Sequence, residues 1–402
     1  MTNFTQNLTR IIQFGTIKIV PGLFNLALIP YLVFALGAAD YGNYSLLLSY
    51  ALLVATVLGA IATQPMYRFL SSHPDELELF NSFAFVAAAF ASGVTFLVVL
   101  LTTGNWLYST GFSIFGAGAV VFSAISVRFQ IAGQIGRLAA FETLRILTFL
   151  AALAVQVLIL PDLGVGNVIL AISISYVIPL ALLARRLRPA RPGMDWVKRS
   201  AVFGAKSAIW LLLAGLPIVG GKAFLSQAIP AAEFGYYAAV ADVAYRGFGI
   251  LNAAIVMWVF PLLSRAYDQA AYARVRRLLG FAVGTYGVAG LLGVIIAVAA
   301  ANFTTVWAAP FSSGILAVAA IMVSCFLWQG MSLVQKPFEL TLQTSRMVLF
   351  MLAALILFAV LLSGLTSLGT LDPILVLCLS LGVAALFYGT TALSVRLERR
   401  VQ

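Results

Sequence analysis

Asp242 and Arg246 stand four residues apart in AAEFGYYAAVADVAYRGFGILNAAIVMWVFPLLSR, Ala231 to Arg265, a stretch that is otherwise apolar after its opening residues. A spacing of four puts both side chains on one face of a helix, with the acid first, the order that favours an ion pair. Counted from Gly235, Arg246 is about 16 Å along such a helix at 1.5 Å per residue. In a membrane-crossing helix that is close to the bilayer centre, where an unpaired Arg costs roughly 2.5–3.5 kcal/mol. Lys222, just upstream in GGKAFLSQ, adds one positive charge beyond the pair. Two readings are open: an intrahelical pair whose role is to let the helix insert, or a cationic site for an anionic head group. In the second, Arg246 grips the anion through its planar fork and Lys222 acts as a point charge. The second is preferred, because a buried ion pair is usually no more stable than an apolar replacement. Lys18 and Lys206 lie near the expected cytoplasmic ends of two other apolar runs. They either form an entry site for the same head group or snorkel to the interface.

The elements that must hold these charges are membrane helices. Of 402 residues, 62% are hydrophobic and 9% charged, and the mean hydropathy is +1.04. That is more apolar surface than a soluble core buries. Apolar spans of about twenty residues, long enough for a bilayer, are expected at 13–36, 43–67, 80–103, 107–129, 140–160, 166–186, 202–226, 235–262, 279–301, 312–334, 347–368 and 372–394. The expected fold is an all-α polytopic membrane protein of 12 transmembrane helices. The opening MTNFTQNLTR is not followed by the short apolar core and small-residue cleavage site of a signal peptide, so the first helix is expected to stay.

The net charge of +11 is distributed by topology. Arg128, Arg137 and Arg145 are assigned to one loop, Arg185 to Arg199 to the next of the same parity, and Arg265 to Arg277 to the next; the alternate loops carry at most an Asp. The positive-inside rule then puts both termini in the cytoplasm of a cell inner membrane. The same pattern removes the case for a nucleic-acid partner, since no basic module with interleaved aromatics stands outside the membrane. Residues 186–200, within RRLRPARPGMDWVKRS, read as a basic cytoplasmic linker beside anionic phospholipid. The linker separates an N-terminal six-helix bundle, 1–185, from a C-terminal one, 201–402. Cys325 and Cys378 fall inside apolar spans and read as packing residues. No P-loop, metal-spaced His/Cys set or nucleophile–base pair is visible, so neither an enzyme nor a metal or other cofactor is expected.

The halves repeat. Ala38-Ala39-Asp40-Tyr41-Gly42-Asn43-Tyr44-Ser45 aligns with Ala231-Ala232-Glu233-Phe234-Gly235-Tyr236-Tyr237-Ala238, 193 positions later. Each copy is read as a polar turn before a helix. Because both halves start on the same side, the repeats are expected to be parallel. Tyr31, Tyr41, Tyr44, Tyr236, Tyr237, Trp106, Trp307 and Trp328 are expected chiefly as interfacial anchors.

At these motifs, LGAADYGNYSLLLSY and AIPAAEFGYYAAVADVAY followed by VFPLLSRAYD, the chain resembles the polysaccharide (O-antigen-type) flippases of the multidrug/oligosaccharidyl-lipid/polysaccharide exporter superfamily. The resemblance is strongest over 10–70 and 200–280. It implies two six-helix bundles around a central cavity that opens to either side in turn. The implied substrate is an undecaprenyl-diphosphate-linked oligosaccharide, and the implied partners are other membrane proteins of polysaccharide assembly. Family members often carry an acid in the seventh helix, where this chain has Lys222; that departure weakens the transfer of coupling-ion chemistry. The competing expectation is a cation-coupled multidrug or small-molecule exporter of the same superfamily, which calls for membrane carboxylates, and Asp242 is the candidate.

Overall fold

The computed structural model describes residues 21–70, 76–159, 163–183, 190–191, 193–304, 308–341 and 343–394. Every regular element among them is helical, and eleven helices are long and apolar enough to cross a bilayer. This is a multi-pass membrane protein. The helix form follows from the solvent: hydrocarbon offers no partner to a peptide group, so each span must satisfy its own backbone.

In chain order the helices are α1 (Pro21–Leu36), α2 (Ala38–Pro65), α3 (Leu77–Thr103), α4 (Trp106–Ile131), α5 (Ile135–Ile159), α6 (Val165–Leu183), α7 (Met194–Ala228), α8 (Ala231–Asp268), α9 (Tyr272–Thr304), α10 (Ile315–Val334), the short α11 (Lys336–Leu340), α12 (Thr344–Leu368) and α13 (Pro373–Leu393). Each expected span has its helix, and the largest surplus is at the ends of α7, α8 and α9. Turn chemistry sets several boundaries. Gly104, at φ 65°, ends α3, and Asn105 caps α4 by accepting from the amides of Leu107 and Tyr108. Such left-handed positions suit glycine, which has no Cβ to clash.

The repeated motif is not a turn. A single residue, Gly37 at φ 79°, separates α1 from α2, and Ala38 already opens α2. Likewise Ala231 opens α8 directly after Pro230. Both polar octets are therefore the first turns of helices. Pro230, preceding Ala231, presets the chain direction there, and the small residues that look like turn formers serve close helix packing instead.

Residues Asn43–Val219 form one compact unit; those from Gly220 onward, with those up to Gly42, form the other. In the first unit α4 packs against α3, α5 and α6. The end of the expected linker is helix, since α7 begins at Met194. It is tied down: Glu76 accepts from the Trp196 indole at 2.8 Å, and its two carboxylate oxygens accept from Arg199 Nη2 at 2.8 and 2.9 Å. The backbones of α2 and α7 touch at Gly204, where a Cβ would fall on the Ile61 carbonyl. In the second unit α10 is central, packing on α8, α9 and α13.

Within that second unit the two copies of the motif meet. A Cβ on Gly235 would fall on the Ala38 carbonyl, and one on Gly42 would press on the Phe234 ring and the Gly235 backbone. The first turns of α2 and α8 thus cross at backbone contact through paired glycines, the close approach that small residues permit between membrane helices.

Candidate functional site

Lys222 lies near the C-terminal end of α7 and Asp242 in the first half of α8. Only Ile229 and Pro230 separate the two helices, so they form an antiparallel hairpin. Side chains lean toward the N-terminus of their own helix. On antiparallel neighbours the Lys222 and Asp242 side chains therefore lean toward each other. The result is an ion pair, Lys222 Nζ to Asp242 Oδ1 at 2.7 Å, with the residues 2% and 8% exposed. Gly221 brings α13 close alongside, for a Cβ there would meet Leu377 at 2.9 Å.

The second carboxylate oxygen is also engaged. Tyr41, in the opening of α2 and 1% exposed, donates its hydroxyl to Asp242 Oδ2 at 2.9 Å. Asp242 is thus bridged by a cation and a phenol from two different helices. Around it stand Tyr237, Cys325 and Cys378, all buried. A charge-assisted network of this kind, in a medium of low dielectric, is strong when every member is satisfied and costly when one is removed.

This geometry corrects the charge arithmetic read from the sequence. Lys222 is not a surplus cation, because it is bound to Asp242. Arg246 is half-buried one turn further along α8, and the three residues together remain formally +1. Lys206 is exposed on α7, in the compact unit Asn43–Val219. Lys18 lies outside the described residues. The aromatic residues are corrected too. Tyr41, Tyr44, Tyr237 and Trp328 are buried packing residues, whereas Tyr31 and Trp106 are exposed.

Two features escaped the sequence reading. The first is Tyr41 as a partner of Asp242. Its signal was the break in the repeat, where Tyr41 aligns with Phe234: one copy keeps a hydroxyl that the other lacks. The second is Arg145, which was assigned to a loop. It lies well inside α5, where its guanidinium approaches Glu142 at 3.5 Å. Among the described residues no group of three His, Cys, Asp or Glu is placed to hold a metal ion.

No protein-family model matches the chain, and no relative among curated proteins matches it. Solved structures do match. An outward-facing multidrug resistance MATE family transporter of the MOP superfamily superposes with TM-score 0.68 at 12% identity, over 96% of this chain and 93% of the other. An inward-facing one gives 0.68 at 13% identity, over 94% and 97%. A MOP superfamily transporter from Pyrococcus furiosus, described as having a binding pocket of reverse polarity that suggests a different function, gives 0.64 at 12% identity, over 95% and 94%. The fold of this chain is that of the MATE transporters.

Proposed function

We propose that this protein is a membrane exporter that works by alternating access, coupled to a cation through Asp242. The observation that carries the reading is the buried bridge of Lys222, Asp242 and Tyr41 within a fold shared with transporters solved in both outward- and inward-facing states. A proton delivered to Asp242 removes the charge that holds Lys222 and weakens the bond from Tyr41. The hairpin of α7 and α8 then has two electrostatic states, which is what a coupled carrier needs. The substrate in this reading is a small organic molecule.

A second reading, the outward movement of undecaprenyl-diphosphate-linked oligosaccharide for surface polysaccharide assembly, is favoured by one observation. The charges of Lys222, Asp242 and Arg246 sum to +1, and Arg246 has the fork that suits a diphosphate. In either reading, the exposed Arg191, Lys198, Arg274, Arg276 and Arg277 lie at the cytoplasmic surface against anionic phospholipid, and the two six-helix halves are parallel repeats.

Purified protein in liposomes with an imposed pH gradient separates the readings, with ethidium and carboxyfluorescein as cationic and anionic probes. Gradient-driven flux of a probe, lost in Asp242→Asn while the protein stays in the membrane, is expected. Equal flux by Asp242→Asn overturns the coupling role. No probe flux, together with restored glycan export in a flippase-deficient strain, establishes the second reading in place of the first.

A further inference from the structure

Arg145 occupies a place in the unit Asn43–Val219 that costs energy and that the bridge at Asp242 does not explain. It lies ten residues into α5, about 15 Å from the start of that helix. It shares the buried face of α5 with Leu138, Phe141, Glu142, Thr148, Phe149 and Leu153. Its guanidinium lies beside two rings that meet each other edge-on, 5.5 Å from the centroid of Phe122 on α4 and 5.3 Å from that of Tyr176 on α6. Those rings are themselves fixed. Phe122 stacks on Phe141 at 4.1 Å, and Tyr176 meets both Phe115 and Phe122 edge-on at 5.3 Å. Gly118 lets Tyr176 sit this close, for a Cβ there would meet the Tyr176 side chain at 2.7 Å.

What these rings do not supply is acceptors. Arg145 Nε is buried without a hydrogen-bond partner among the described residues, and Glu142 stands at 3.5 Å, an ionic rather than a hydrogen-bonding distance. No hydrogen bond to the terminal amino groups is present among the described residues either, and the side chain keeps 14% of its surface exposed. A guanidinium carries five N–H donors in a fixed fork. Cation–π contact holds the plane of the group and leaves its edge free. Inside the membrane such an edge is costly until an acceptor meets it, and the acceptor that matches the fork is a planar or tetrahedral oxyanion.

We infer that Arg145, packed beside Phe122 and Tyr176 and charge-balanced by Glu142, is an intramembrane binding site for the acidic group, carboxylate or phosphate, of the transported molecule. The inference rests on the exporter reading for the word transported, and on the geometry of α4, α5 and α6 for the site. Glu142, 3.5 Å from Arg145 Nε, is the counter-charge that α5 itself supplies to the site. The site therefore needs no contact with Asp242.

The test is equilibrium binding in detergent, with two probes: carboxyfluorescein for a free organic acid and a fluorescent polyprenyl diphosphate for a lipid head group. The wild type should bind at least one, Arg145→Gln should bind it at least tenfold more weakly, and Arg145→Lys should fall between. Asp242→Asn should bind as the wild type does while losing gradient-driven flux. If Arg145→Gln fails to fold, the double variant Arg145→Gln/Glu142→Gln, which leaves no buried charge, and Tyr176→Leu, which removes one ring, give the same reading through the loss of binding. Equal binding by the wild type and the folded Arg145 variants, or no binding of either probe by the wild type, overturns the inference. Binding that depends on Arg145 in a protein that moves neither probe overturns the exporter reading and leaves the site. The probe that binds identifies the source of the acid.

Discussion

Tyr41 and Asp242 are 201 positions apart in the sequence and joined by a hydrogen bond of 2.9 Å. The bond ties the first copy of the repeated motif to the helix that carries the second. Phe234 shows that the same backbone setting accepts a ring without the hydroxyl, for it too is buried, at 2%. Tyr41→Phe should therefore fold. It should cost about 1 kcal/mol, the usual range for an interhelical hydrogen bond in a membrane, and lower the melting temperature by a few degrees. Gradient-driven flux should drop several-fold and be restored in part at lower external pH, where protonated Asp242 no longer needs the donor. Flux identical to the wild type at every pH would remove Tyr41 from the coupling network.

The Lys222–Asp242 pair separates stability from function. Removing one member of a buried pair strands a charge, at about 3–5 kcal/mol, whereas replacing both by apolar groups is often neutral. Lys222→Met alone should reduce the amount of protein in the membrane sharply. Lys222→Met/Asp242→Leu should restore the amount, measured by immunoblot and thermal melting, yet remain without flux. A double variant that transports would show the pair to be a packing device.

Gly235 tests the crossing of α2 and α8. A Cβ at this position would coincide with the Ala38 backbone, which cannot rotate away as a side chain does. Gly235→Ala should give little folded protein by size-exclusion chromatography. Gly247→Ala, on the same helix with nothing within 4 Å of the added carbon, should be neutral or slightly stabilising, since Ala is the better helix former by about 1 kcal/mol. Equal yields from the two variants would contradict the contact.

Orientation is tested by thiol labelling. Gly164 and Gly193 are exposed, and a Cβ at either meets nothing within 4 Å. The two native cysteines are buried and free, so their background should be low. Gly164→Cys should react with an impermeant maleimide from outside the cell, and Gly193→Cys only after permeabilisation. The opposite pattern would invert the topology.

The sequence by itself determined the class of the molecule and the position of nearly every helix. Hydropathy is a local sum, and in hydrocarbon a helix satisfies its own backbone, so a span such as 80–103 needs no knowledge of its neighbours to become α3. The intramembrane charges Lys222 and Asp242 were legible for the same reason. Their pairing was not. Local spacing offers Asp242 only Arg246, four residues on; the antiparallel hairpin also brings Lys222 to one carboxylate oxygen, and a helix crossing brings Tyr41 to the other. The motif octets looked like turns because glycine and small residues serve turns and helix crossings alike, and only the partner backbone tells them apart. Arg145 looked like a loop cation because a charge near the edge of an apolar run marks the span boundary in any local count. Packing decided otherwise, since Arg145 lies within α5 with its guanidinium beside rings from α4 and α6. What a charge contributes to function depends on which other helix supplies its counter-ion or its ring, and that is a property of the tertiary arrangement alone.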